Sequence, residues 1–283
     1  MWEGCTSGTE LSVTAEFITM KSKFNLTEAA FIAVVQTAKR HMPPNNLMCD
    51  SHYKVKKLMY AFGLPYHKID TCVEGCMLYW KEDAYLRKCK FCNEDRYKPR
   101  KKKGKEVPYK RMHYLPITPR LQRLYYASSA TACHMRWHSV RTAEEGTMIH
   151  PSDCEAWKHF DRTYPEFAAE SRNVRLGLCT DGFSPFSQFG SKYSSWPIIV
   201  TPYNLPPWMC MKNPYMFLTV VVPGPDDPTQ GIDVYLQPLI EELKTLWNEG
   251  VETYDISRKR NFRMFASVLW TISDFPAYGM LLG

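Results

Sequence analysis

Leu176-Gly-Leu-Cys-Thr-Asp-Gly-Phe-Ser-Pro-Phe186 is an apolar run of strand length that delivers one carboxylate, Asp181, onto a glycine. A second stretch, Val268-Leu-Trp-Thr-Ile-Ser-Asp-Phe-Pro276, does the same with Asp274. Each aspartate sits where a buried strand is expected to end. Two carboxylates so placed suit Mg²⁺, which keeps most of its waters and takes few protein ligands. Such a pair suits phosphoryl-transfer chemistry on nucleic acid. The other reading is that both are turn residues, since Asp before Gly or Pro is an ordinary turn signal.

Working outward, the texture changes at Asn173. Val174 to Cys179 reads as a buried strand, Trp196-Pro-Ile-Ile-Val-Thr201 as a second and Tyr215 to Val222 as a third. Pro223-Gly-Pro-Asp-Asp-Pro228 is a sharp loop. Ile232 to Glu249 then has the spacing of a long amphipathic helix with Leu236, Leu239, Ile240, Leu243 and Leu246 inward, closed by Gly250. Phe262 to Ile272 is a fourth strand, ending at Asp274. Three consecutive strands can pair as a meander, and the helix can cross over to set strand four beside strand one. That order brings Asp181 and Asp274 together, and it is the opening half of a ribonuclease H-like domain.

Upstream, residues 1–24 are polar and mixed and read as a weakly ordered lead. Asn25-Leu-Thr-Glu28 resembles a capping box, followed by a helix to Arg40 that His41-Met-Pro-Pro44 stops. Ser51 to Phe62 reads as a helix with an apolar stripe and a basic side that includes Lys54 and Lys57. Those lysines suit DNA contact or a solvated face. Cys72-Val-Glu-Gly-Cys76 and Cys89-Lys-Phe-Cys92 are two close pairs separated by a short, strand-rich span. They match a four-thiolate zinc ribbon, the metal being structural. Pro99-Arg-Lys-Lys-Lys-Gly-Lys105 is a dense basic run. Arg100, Lys101, Lys102, Lys103 and Lys105 read as a nuclear-localisation or phosphate-contact segment, or as a solvated loop. Pro116 to Tyr126 starts another helix. His134 and His138, four apart, would share one face of a helix as a possible metal pair, though a core or surface role is the commoner one. Pro151 to Phe160 reads as a Ser/Asp-capped helix.

Composition sets wide bounds. In 283 residues, 45% of them hydrophobic, a sizeable core can form, and the formal charge of +7 is compatible with nucleic-acid partners. No apolar run approaches bilayer length. The first residues lack the basic and apolar regions of a secretory signal, so the 10 cysteines point to reduced thiols or metal ligands. The fold class expected is α+β, in four parts. These are a helical lead (1–46), a zinc-ribbon-like module (47–98), a basic linker with helices (99–171) and a partial ribonuclease H-like core (172–283).

Several stretches resemble the transposases of plant CACTA (En/Spm) DNA transposons. They are Leu64 to Trp80, Pro119 to Tyr125, Met135-Arg-Trp-His138, Leu176 to Phe186, Pro202 to Lys212, Ile232 to Ile240 and Asp274-Phe-Pro-Ala-Tyr-Gly279. They cover most of residues 45–283 in the family's order. The resemblance implies a nuclear protein acting on transposon ends, with other transposase subunits as possible partners. It also implies a ribonuclease H-like core with a D-D-E/D triad and two Mg²⁺ ions, in which Asp181 is the first acid and Asp274 the second. In the family a Ser-Gly-Trp segment and a later acid follow the Asp-Phe-Pro-Ala-Tyr-Gly motif, whereas here the chain reads Met280-Leu-Leu-Gly283. Ser184 and Ser187 also stand where the family more often shows Asn and Gly. The expectation is therefore a C-terminally truncated transposase-like chain, inactive alone for want of its third acid. The alternative is a DNA-binding or subunit-interacting remnant.

Overall fold

A computed structural model describes residues 1–99, 104–142, 146–184, 193–226, 228, 231–274, 277 and 279; within these, the side chains of 59–62 are not described. The chain divides into two compact units, Met1–Leu64 and Pro65–Gly283. The sequence reading places its boundaries elsewhere, at 46/47, 98/99 and 171/172.

The first unit is helical: α1 (Glu10–Lys23), α2 (Glu28–Arg40) and α3 (His52–Phe62). The stretch expected as a weakly ordered lead is thus largely helix. Its apolar periodicity is weak, and its signal lies at the ends. Thr9 and Ser12 form a reciprocal capping box, and Lys21 and Lys23 sit in the last turn, where cations favour the helix dipole. The start of α2 also differs from expectation. Thr27, not Asn25, is the N-cap and accepts from the Ala30 amide, while Asn25 takes a left-handed φ of 49° in the preceding turn. Ser51 caps α3 as its pattern suggests. Phe31, Val35, Met48, Cys49 and Val55 close the small core of this unit.

The second unit is built on a mixed six-stranded sheet. Its elements are β1 (His67–Thr71), β2 (Lys110–Tyr114), α4 (Thr118–Tyr126), α5 (Ser129–His134), α6 (Trp137–Val140), α7 (Glu155–Thr163), α8 (Pro165–Ala169), β3 (Val174–Thr180), β4 (Trp196–Pro202), β5 (Phe217–Val222), α9 (Ile232–Asn248), β6 (Val251–Asp255), β7 (Arg260–Met264) and β8 (Ala266–Ile272). The sheet order is β1-β2-β5-β4-β3-β8. β3, β4 and β5 form the expected antiparallel meander, and β8 pairs parallel to β3 after the α9 crossover. Short, charged β1 and β2 extend the same sheet beyond β5, so the cysteine-bearing segment begins on a strand of the main sheet.

The expected fourth strand is two strands. β6 and β7 form a hairpin in a separate two-stranded sheet, and Phe265 separates β7 from β8. α9 buries Ile232, Tyr235, Leu236, Leu239 and Leu246, while Ile240, expected inward, is exposed. Gly250, at φ +64°, ends α9 with its amide on the Thr245 carbonyl.

β3 is the middle of the core. Val174, Arg175, Leu176, Gly177 and Leu178 are all buried, the near-continuous pattern of a strand covered on both faces. Arg175 is 1% exposed and survives there because it is paired. Its guanidinium donates to Asp161 and lies over the Trp157 and Phe167 rings, at 4.7 and 5.1 Å from their centroids. Gly177 is required by close approach: the Tyr203 ring lies where a Cβ would be, with Cε2 2.2 Å away.

Candidate metal sites

The two aspartates lie at matched positions. The β3–β8 register runs through Cys179 opposite Ile272, and Asp181 and Asp274 each follow two residues later. Both carboxylates therefore leave the carboxyl ends of adjacent parallel strands, and both residues are exposed. Asp274 is oriented locally, its Oδ1 accepting from the Ala277 amide at 2.9 Å. The glycine after Asp181 serves a different purpose from the turn that the sequence suggests. Its φ is not positive, and the Trp196 indole stands 2.8 Å from where a Cβ would sit. Phe183 then bridges to Ser195, tying the segment after Asp181 to the start of β4.

Carboxylate oxygens at strand ends fit Mg²⁺ in kind. In number the set is small: among the described residues, no third His, Cys, Asp or Glu joins the pair in a cluster of ligating atoms. Two acids on the crossover helix are occupied elsewhere. Glu241 pairs with Lys81 at 2.7 Å. Glu242 accepts from the Ile117 amide at 3.0 Å, the Thr118 amide at 2.7 Å and the Tyr114 hydroxyl. It thereby supplies, from a distant part of the chain, the cap that α4 lacks from its own side chains.

The four cysteines do converge. Sγ atoms of Cys72, Cys76, Cys89 and Cys92 all lie within 4.8 Å of one another, with Cys72 and Cys92 at 3.4 Å. Zinc with four thiolates at about 2.3 Å in a tetrahedron needs sulfur separations of about 3.8 Å, which this spread brackets. The Phe91 amide approaches the Cys89 Sγ at 3.4 Å, as a knuckle requires. Gly75 takes φ +77° in the first knuckle, and a Cβ there would meet the Tyr235 hydroxyl at 3.2 Å. Burial first, then the neighbouring thiol of Cys92, pushes the Cys72 thiol up to about 12. Without a cation this thiol stays protonated, whereas a bound metal displaces the proton. The four residues thus fit a structural zinc ion. The span between the pairs is less strand-rich than expected: it holds one 3₁₀ turn, Lys81–Asp83, and isolated bridges.

Beside this site Asp70 is nearly buried and holds two arginines, Arg96 at 2.8 and 3.0 Å and Arg111 at 2.7 Å. The Arg96 guanidinium also lies over the Tyr79 ring at 4.6 Å. The sequence gives little warning of this cluster, because an aspartate in His-Lys-Ile-Asp-Thr argues against a strand.

The other expected site residues are dispersed. Lys54 pairs with Asp50 at 2.9 Å on α3, and Lys57 is exposed. Lys105 is exposed, while Arg100, Lys101, Lys102 and Lys103 lie outside the described residues. His134 and His138 do not share one helix: α5 ends at His134 and α6 begins at Trp137. Among the described residues their Nδ1 atoms are both buried without a hydrogen-bond partner, and each ring packs on tryptophan, His134 on Trp208 and His138 on Trp157. Burial, then the charge of Arg175, pushes His138 down to about 3, so it is a neutral aromatic-packing group. The expected Ser/Asp cap of α7 is also absent. Cys154 precedes the helix without a side-chain cap, and Asp153 instead accepts from the Ile149 and His150 amides.

Residues 145–283 match the family model described as Transposase family tnp2. The matched segment contains both aspartates, α9 and the four strands β3, β4, β5 and β8, and the match supports a transposase-derived protein. No curated protein matches the chain. No helix among the described residues is long and apolar enough to cross a membrane.

Proposed function

We propose that this chain carries the DNA-processing core of a transposase of the plant CACTA (En/Spm) kind, acting on transposon ends in the nucleus. The observation that supports the reading best is the register of β3 and β8. Asp181 and Asp274 each follow two residues after its last pair, Cys179 and Ile272, inside the segment that matches the tnp2 family. In this reading the two aspartates hold Mg²⁺. When bound, that ion supplies Lewis-acid stabilisation of phosphoryl oxygens and an activated water. The chain's own part is to fix the two carboxylates: the β3–β8 ladder sets their spacing, and the Ala277 amide orients Asp274. The four-cysteine site holds a structural zinc ion that supports the sheet and α9.

A second reading has its own support. The described residues bring no third ligand to the aspartate pair, and two carboxylates alone hold a catalytic ion loosely. The protein then binds DNA, or other transposase subunits, without cutting.

Nicking of supercoiled plasmid by the zinc-loaded chain decides between the two. Cleavage that requires Mg²⁺ and is lost in Asp181→Asn and Asp274→Asn supports the first reading. Salt-dependent DNA binding with no cleavage supports the second. Cleavage that survives both substitutions removes the aspartates from the mechanism.

A further inference from the structure

The β6–β7 hairpin ends in a turn whose sequence is Asp255-Ile-Ser-Arg-Lys-Arg260. Its register pairs Asp255 with Arg260 and leaves Ile256, Ser257, Arg258 and Lys259 as the turn itself. The Asp255 carboxylate builds it from beneath. It is fully buried, and its Oδ1 accepts from the Ser257 amide at 2.9 Å, the Ser257 hydroxyl at 2.6 Å and the Arg258 amide at 3.3 Å. Its Oδ2 faces the Arg172 guanidinium at 3.4 Å. Lys259 takes the left-handed φ of +52° in the turn. The hairpin is also fixed to its surroundings. The Ile256 amide donates to the Tyr125 carbonyl, Gln122 donates to the Glu252 carbonyl, and Phe262 packs edge-on to Tyr125. This is a rigid turn, held before any partner arrives.

What the turn presents is an excess of positive charge, offset only in part by the Glu170 carboxylate near Arg258. Arg258, Lys259 and Arg260 are exposed, and Arg136 reaches the same place, its guanidinium donating to the Ser257 hydroxyl at 3.2 Å. Among the described residues none of these four cations makes an ion pair. The nearby carboxylates are already engaged: Asp255 by the turn and Arg172, and Glu170 by both arms of Arg172 at 2.6 and 2.8 Å. Burial first, then the charges of Arg136, Arg172 and Arg260, hold the Arg258 guanidinium below its ordinary value. Like charges crowded on a preformed turn gain from an anion that spans them.

We infer that the Ser257–Arg260 turn, with Arg136, is a contact site for the phosphate backbone of duplex DNA. The inference rests on DNA being the protein's partner, as proposed above. Several cations spread along an exposed turn suit a run of phosphates, and phosphate contacts position a duplex without reading its sequence. The site is separate from the aspartate pair. β8 begins next to the hairpin and ends next to Asp274, and its seven residues span about 23 Å. The turn therefore holds DNA away from the scissile position.

The test uses the full zinc-loaded chain and a 30-base-pair duplex of arbitrary sequence, followed by fluorescence anisotropy over a salt series. The variant is Arg258→Gln, Lys259→Asn and Arg260→Gln together, Asn being chosen because it tolerates the left-handed position. Thermal unfolding confirms that the fold is kept, and Lys54→Gln/Lys57→Gln serves as a second charge-loss variant. The expected result is at least a 10-fold weaker affinity in the hairpin variant. The slope of log K against log salt should also become shallower by about 2 to 3, since each lost phosphate contact removes about 0.9. If the wild type binds DNA and the hairpin variant binds with the same affinity and slope, the hairpin is a solvated turn and this inference falls alone. If the wild type binds no duplex at low salt, the inference falls together with the reading of DNA as partner.

Discussion

Gly177→Ala probes the close approach at the centre of the sheet. An ideal Cβ at Gly177 would lie 2.2 Å from Cε2, 2.4 Å from the hydroxyl oxygen and 2.5 Å from Cζ of Tyr203. Carbon atoms rest about 3.5–4.0 Å apart, so the ring or the strand must give by about 1.3 Å or more. The strand is held on both edges, by β4 and by β8. The ring is the softer partner, but Tyr203 is 5% exposed and stacks at a tilt on Trp270, 5.3 Å between centroids. Overpacking of this kind costs about 1–3 kcal/mol, and the blocked exit places Gly177→Ala at the upper end, about 2–3 kcal/mol. Loss of glycine's freedom in the unfolded chain offsets about 0.4–1 kcal/mol of the steric term. The net cost is about 1–2.6 kcal/mol, and for a unit of this size the melting temperature falls by about 2–10 °C. Thermal unfolding followed by circular dichroism reads this directly, and a double-mutant cycle isolates the cause. In a Tyr203→Leu background the same Ala should cost under about 1 kcal/mol, because the ring is gone. An equal cost in both backgrounds, or no cost in the wild type, would refute the reasoning.

Two further outcomes follow from the site geometry. Chelation should abolish the thiolate charge-transfer absorption of the cobalt-substituted protein, and Cys89→Ser should reduce it by about a quarter and weaken metal binding. Because Tyr235 sits against the first knuckle and Lys81 pairs with Glu241, amides of α9 should lose hydrogen-exchange protection along with residues 72–92; protection in α9 that survives metal removal would show the two are uncoupled. The second outcome concerns pH. His138 is held at about 3 when folded, below its ordinary value near 6.5, so the unfolded chain binds the extra proton between those values. The stability contributed by its neutral ring is fully present above about pH 6.5 and is lost as pH falls towards 3. Denaturant titrations from pH 8 to 4 should show that decline flattened in His138→Gln, and an unchanged slope would assign the decline to other groups.

The parts legible in the sequence are those whose signal is local and repeated. Apolar runs of strand length mark β3, β4 and β5, the leucine spacing marks α9, and paired cysteine knuckles mark the metal site. The sheet order from β5 to β8 is one that the connection rules allow. What escaped depends on partners far along the chain. β1 and β2 carry little strand signal of their own, because Asp70 and Arg111 look like surface charge until they meet each other and Arg96. The break between β7 and β8 hides inside a run of mixed apolar residues, and with it the hairpin and its arginines. α1 shows too little apolar periodicity to stand out from its flanks. Glu242 reads as an ordinary helix-surface acid, and only the fold shows that it caps α4.

The parallel pairing of β3 with β8 also sets a schedule. Asp181 leaves the ribosome roughly 90 residues before Asp274, which at about 5–20 residues per second is several seconds or more. In that interval β3 can pair with β4 and β5, since they follow it directly. Its other edge stays open until α9 and the hairpin have been made and β8 arrives. The two carboxylates therefore become neighbours late in synthesis, and a nascent chain carries only half of the pair while it is still tethered to its own messenger RNA.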